Sequence, residues 1–182
     1  MHFVRVEAPL STPSLTRAGH LTQRFFGSVR APALDAADIA FVRRHLTDSE
    51  QRVWDTLGRA DRAESVAVAR RTAHALGPDV ESRWLAAALL HDVGKVDSGL
   101  GTFGRVGATL FAGLMSHGRA RRMSNRIGRY VNHDEIGAAT LREAGARPET
   151  AAWAAAHHRP ERYGPTGIPP EVCAALAAAD GE

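Results

Sequence analysis

The chain has 182 residues, 44% hydrophobic and 24% charged, which is enough for one domain with a buried core and too short for two large ones. Its formal charge is only +3, and its arginine pairs (Arg43/Arg44, Arg70/Arg71, Arg121/Arg122) are interleaved with Asp and Glu, so they read as solvated helix faces and no specific nucleic-acid binding is expected. Apolar runs such as residues 84–90 fall far below the ~20 residues that cross a bilayer, and no basic-then-apolar signal segment opens at Met1, so a soluble, cytoplasmic protein without a membrane partner is expected.

Residues 1–33, with Pro9, Pro13, Gly19, Gly27 and Pro32, lack a clean period and are expected to form an arm or lead-in, followed by a single helical domain over residues 34–182. Asp35 can cap a helix carrying Ile39, Phe41, Val42 and Leu46. Thr47-Asp48-Ser49-Glu50 reads as a capping box for a helix carrying Val53, Trp54 and Leu57, ended by Gly58. Over residues 61–76, Val66, Val68, Ala69, Ala73 and Leu76 recur at helical spacing until Gly77-Pro78 stops the run.

A strongly apolar helix is predicted over residues 80–92, with Trp84, Leu85, Ala88 and Leu89 implying burial on more than one side. Four glycines, Gly99, Gly101, Gly104 and Gly107, then precede an apolar helix at about residues 109–115 and a basic stretch at 119–129. Helices at about 133–144, 148–158 and 170–180 complete an all-α, single-domain bundle. Cys173, the lone cysteine, cannot form an internal disulfide and reads as a small core residue in the last of these.

Seven polar residues interrupt the apolar helices: Glu64, His91, Asp92, His133, His157, His158 and Asp180. Imidazole with carboxylate is the ligand set of Mn, Fe, Ni or Zn when thiolates are absent, and an unpaired imidazole on an apolar face is costly. Each of the seven falls at or near a predicted helix end against an apolar background, which favours one shared site over scattered surface groups. A set of satisfied helix-end polar residues is the plain alternative. Glu64 lies four residues before Val68 on one helical stripe, which points its carboxylate inward.

The string Ala87-Ala88-Leu89-Leu90-His91-Asp92-Val93-Gly94-Lys95 resembles the signature of the HD superfamily of metal-dependent phosphohydrolases, and the resemblance runs over residues 61–180. Downstream, His133-Asp134-Glu135-Ile136-Gly137 is similar to the His-Pro-x-x-Gly element of the HD-GYP branch, His157-His158 to its paired histidines and Ala178-Ala179-Asp180 to its closing aspartate. The chain departs from the pattern twice. Glu64 stands in the segment where the family's first histidine is expected, and no Gly-Tyr-Pro follows His158, so cyclic-di-GMP is not carried over as substrate.

The resemblance implies a helical bundle of the HD type holding one or two divalent ions, Mn or Fe first, with Mg, Ni and Zn as further possibilities. Asp92 would bridge two ions, one also held by His91, Asp180 and Glu64, the other by His133, His157 and His158. Such ions acidify a bound water and neutralise phosphate oxygens. Lys95, the chain's sole lysine, becomes a candidate catalytic phosphate contact beside Asp92, and Arg159 a second substrate contact. The implied activity is hydrolysis of a small phosphate ester or nucleotide. An HD-type di-iron oxygenase and a non-catalytic signalling or binding module are the alternatives.

Overall fold

A computed structural model describes residues 33–100 and 122–181. All but the last residue of the expected arm, the helix expected at 109–115 and the first part of the basic stretch lie outside the described residues. Among those described, the chain forms eight α-helices and three short 3₁₀ turns with no strand, and is all-α as its periodicity predicts.

Local capping chemistry sets the first two helices. α1 (Ala36–His45) opens on Asp35, whose carboxylate accepts from the Asp38 N–H at 2.8 Å. α2 (Asp48–Trp54) opens on the predicted capping box, in which Thr47 N–H donates to Glu50 at 3.0 Å. Glu50 does more than cap. It is fully buried, and Arg147 donates to it from its backbone N–H (3.1 Å) and its guanidinium (2.5–3.1 Å), while Thr150 Oγ1 adds a further bond at 3.0 Å. Burial opposes this charge, but the Arg147 guanidinium and the backbone donors outweigh it and hold the carboxyl below its ordinary range. The ion pair thereby ties α2 to the start of α7 (Pro148–Ala156).

α3 (Arg59–Leu76) starts after Gly58 and stops at Gly77, whose φ of +88° suits glycine. α4 (Ser82–Leu90) is the centre of the molecule: every residue from 84 to 90 is buried, and the helix touches α1, α2, α3 and α7. A short helix with no solvated face can persist only when packed on all sides, and each of its three leucines contributes about 1.5–3 kcal/mol by leaving water. The remaining helices are α5 (Arg126–Val131), capped by the Asn125 side chain, α6 (His133–Glu143), and α8 (Pro170–Asp180), which lies on α3 and buries Cys173 as expected.

α4 ends earlier than its apolar pattern suggests, at Leu90 instead of near Asp92, because Asp92 leaves helical geometry (φ −104°, ψ 10°) and the chain tightens into a 3₁₀ turn over Val93–Ser98. That turn packs on α6, and Gly94 is what allows it to do so. A Cβ at Gly94 would lie deep inside the contact radius of the His133 carbonyl oxygen and 2.6 Å from the Gly137 nitrogen. A Cβ at Gly137 would in turn meet the Gly94 nitrogen at 2.9 Å, so two glycines let two backbones touch.

Since both obstacles are backbone atoms, Gly94→Ala must push the turn away from α6 and should cost about 3 kcal/mol, the upper end of overpacking penalties. Gly164→Ala, where an added Cβ meets nothing within 4 Å, should be nearly neutral. Urea denaturation of the two variants checks the difference, and equal stabilities would refute the close-contact account.

Candidate metal centre

Four chain segments bring their ends to one place. His91 terminates α4 and Asp92 follows it; His133 is the first residue of α6; His157 terminates α7 with His158 next; Asp180 is the last residue of α8. Helix ends suit this task because a residue there is held by its helix yet projects past it. His91, His133, His157 and Asp180 are buried, the Asp92 side chain is 17% exposed, and His158 faces solvent.

Three imidazoles are set by one local device. Nδ1 of His91 lies 2.9 Å from the Ala88 carbonyl, Nδ1 of His133 2.8 Å from that of Tyr130, and Nδ1 of His157 2.9 Å from that of Ala154, each three residues back. A carbonyl oxygen only accepts, so each Nδ1 carries the proton, and in the neutral ring Nε2 presents a bare lone pair. This is the arrangement that orients metal-bound histidines.

All of these Nε2 atoms converge on carboxylate oxygens, which are acceptors too. Asp92 Oδ1 lies 3.2 Å from His133 Nε2 and 3.6 Å from His157 Nε2, and Asp92 Oδ2 lies 3.3 Å from His91 Nε2. The same His91 nitrogen is 3.4 Å from Asp180 Oδ1, and His158 Nε2 is 3.2 Å from His133 Nε2. Buried acceptors that face one another need a cation between them. Consistent with that need, His91 Nε2, His157 Nε2 and Asp92 Oδ1 are buried without a hydrogen-bond partner.

The spacing also fits. Donors about 2.1 Å from a tetrahedral ion stand about 3.4 Å apart, and the nearest donor pairs here are 3.2 to 3.6 Å apart. Asp92, His133, His157 and His158 place one donor atom each within 4.8 Å of one another and could hold a metal ion. His91 and Asp180 stand on the other oxygen of Asp92.

Lys95 joins this centre through the 3₁₀ turn. Three residues per turn stack Lys95 over Asp92, and its ammonium lies against Asp92 Oδ2. Burial disfavours that charge, but Asp92 overrides it and keeps the lysine protonated. Burial likewise disfavours the Asp92 anion, yet the charges of Lys95 and His91 hold its carboxyl well below the usual range. His91 is desolvated too, but the charges of Asp92 and Asp180 win and raise its pKa well above 6.5. His157 goes the other way: burial dominates and lowers it to about 4.

Two expected members stand differently. Val68 is buried as its stripe requires, but Glu64, one turn earlier, is half-exposed and lies 3.1 Å from Arg71, so the expected inward carboxylate is corrected. The cause is Arg71, which donates from Nε to the Ala179 carbonyl at 2.7 Å and draws Glu64 to the outside of α8, one residue from Asp180. Arg159, expected to face a phosphate, spends its guanidinium on Asp134 and, at 3.1 Å, on Glu135. Asp134 and Tyr163, whose hydroxyl donates to the His157 carbonyl at 2.9 Å, carry no local sequence signal of their roles, whereas Gly137 closes the string that resembles the HD-GYP element.

Compared with known protein families, the chain matches the model of the HD domain over residues 62–181. It belongs to the HD domain family. No curated protein and no solved structure gives a match of its own. The all-α fold is that of the family, and the His91-Asp92 pair falls within the matched residues, at the junction of α4 and the 3₁₀ turn. Among the described residues no helix is long and apolar enough to cross a membrane.

Two of the three buried histidines at this centre, His91 and His157, should titrate in opposite directions in metal-free protein. The His157 ring should stay neutral until the pH approaches about 4, whereas His91 should still be protonated above 6.5. An unfolded His157 takes up its proton near 6.5, so this residue withdraws stability as the pH falls from 6.5 to about 4 and withdraws none above that window. Histidine Cε1–H resonances followed by NMR will test this, and a His157 midpoint near 6.5 would contradict the buried geometry.

Proposed function

We propose that this HD domain is a metal-dependent phosphohydrolase acting on a small phosphate ester or nucleotide. The observation that carries the reading is the convergence of imidazole Nε2 atoms on the two oxygens of a partly buried Asp92. Asp92, His133, His157 and His158 would hold one divalent ion. His91, Asp180 and the second oxygen of Asp92 would hold another, joined by Glu64 once it leaves Arg71. Mn or Fe suits this mixture of imidazole and carboxylate best, with Mg, Ni or Zn as further possibilities.

A bound ion would supply an acidified water and would neutralise charge on a phosphate oxygen. The residues of the chain supply the rest. Nδ1–H bonds to helix carbonyls hold the three rings in one tautomer, so no ligand must turn or lose a proton from the wrong nitrogen. Asp92 stays ionised across the physiological range and cannot be replaced by a neutral group without losing the common anchor of both halves. Lys95, charged and within one turn of Asp92, is placed to meet a phosphate oxygen that arrives beside that carboxylate.

The full chain as purified should carry about one to two divalent ions, measured by elemental analysis, because otherwise buried donors would stay unpaired. Asp92→Ala should lose both the ions and any hydrolysis of a panel of phosphate mono- and diesters and nucleotides supplied with Mn or Fe. Wild-type protein that holds no ion, and whose melting temperature does not move with Mn, Fe, Ni or Zn, would overturn the proposal. Iron retention with oxygen consumption and no ester hydrolysis would favour the oxygenase instead.

Variants at two further positions separate ligand from substrate roles. Lys95→Ala should weaken turnover with metal content unchanged, since an ammonium cannot ligate a cation. Glu64→Ala should lower affinity for one ion only, and Glu64→His should restore it with a preference for softer metals. Unchanged metal binding in Glu64→Ala would remove Glu64 from the ligand set.

A further inference from the structure

The bonds from Nδ1 to helix carbonyls fix each ring against its own helix, but they are local, reaching three residues back. They cannot set one helix end against another. Yet His133 opens α6 and His158 follows α7, and their Nε2 atoms must stand 3.2 Å apart to share an ion. Some contact between those two segments has to fix that separation.

Each of the two histidines is followed by one half of such a contact. Asp134 comes directly after His133, and Arg159 directly after His158. Arg159 Nη2 lies on Asp134 Oδ2, and Asp134 is buried, with its side chain 3% exposed. The other arm of Arg159 reaches Glu135 Oε1 at 3.1 Å, where Arg162 also donates at 2.5 Å. Asp134 Oδ1 is taken by the Glu135 N–H at 2.9 Å, which fixes the carboxylate against the first turn of α6, where negative charge is favoured. On the opposite side, Tyr163 holds the His157 carbonyl at 2.9 Å.

We propose that Asp134 and Arg159 form a positioning clamp that locks the start of α6 to the segment after α7 and so sets how closely His133 and His158 approach, and thereby the affinity and geometry of the ion they share. The proposal rests on the metal-centre reading above. Neither residue touches the ion; both act through the histidines before them. A guanidinium on a buried carboxylate is a directional, desolvated contact, and removing either partner leaves the other charge uncompensated, so the two segments should separate.

The test is a titration of the metal-free full chain with Co²⁺, whose visible absorption reports coordination geometry. Arg159→Ala and Asp134→Asn should weaken Co²⁺ binding about tenfold, the lower end of what outer partners of metal ligands cost, and should shift the absorption band. Arg159→Lys, which keeps the charge but loses the fork, should fall between them and wild type. Arg162→Ala, on the exposed arm of the network, should leave both affinity and band unchanged.

Variants that melt earlier yet bind Co²⁺ with wild-type affinity and an unmoved band would show a purely structural ion pair and overturn the clamp. Should Asp134→Asn fail to fold, the Arg159→Ala and Arg159→Lys pair still decides the question. Wild-type protein that binds no Co²⁺ would overturn the metal-centre reading and the clamp together, whereas wild-type binding with insensitive variants would overturn the clamp alone.

Discussion

Two backbones touch where the 3₁₀ turn after α4 meets the first turn of α6, and the candidate centre depends on that contact. Gly94 lies against the His133 carbonyl and against Gly137, a distance no side chain would permit. Because Asp92 sits two residues before Gly94 and His133 supplies the carbonyl, the contact that joins the turns also sets Asp92 Oδ1 3.2 Å from His133 Nε2. Moving either backbone by the width of a methyl group would open that gap. The glycine of the His-Asp-x-Gly string is therefore part of the geometry of the site as much as of the turn.

Around this contact the molecule has placed electrostatic groups that do not satisfy one another. Three imidazoles spend their Nδ1–H on helix carbonyls and aim their Nε2 atoms at carboxylate oxygens. Within the chain, the ammonium of Lys95 supplies one positive charge, and a raised pKa lets His91 supply another. His157, pressed by burial toward the neutral form, supplies none. A centre with this balance would gain stability from a divalent cation that displaced those makeshift charges, and metal binding would then be coupled to folding and to proton release. Elsewhere the chain treats buried charge differently: Glu50 is matched by Arg147, Thr150 and backbone donors until nothing is left over. The contrast between a closed ion pair and an open donor set marks which polar cluster is structural.

Much of this was legible beforehand, for identifiable reasons. Helical periodicity and the Thr47-Glu50 capping box are local signals, and among the described residues the helices formed close to where they pointed, except that α4 stops at Leu90 and α5 begins inside the basic stretch. Most of the ligand candidates stood out as polar residues at the ends of apolar helices, and the structure draws His91, Asp92, His133, His157, His158 and Asp180 together. Glu64 shows where periodicity stops being enough. Its stripe is buried at Val68, but one turn nearer the helix start Arg71 takes the Glu64 carboxylate outward. The pairing of Arg159 with Asp134 was not legible for a related reason, since the two lie 25 residues apart and no local pattern links them.

The sequence by itself determined the all-α class, the central place of the helix over residues 84–90, the family, and the residue types able to bind a metal, because each depends on chemistry within a few residues or on a short contiguous string. Which oxygen of Asp92 faces which ring, which of the candidate carboxylates turns inward, and which arginine is committed to a buried acid were decided only by tertiary structure. Those outcomes turn on distances of a few tenths of an ångström between helix ends far apart in the chain, and such distances exist only once Gly94 and Gly137 have let the backbones close.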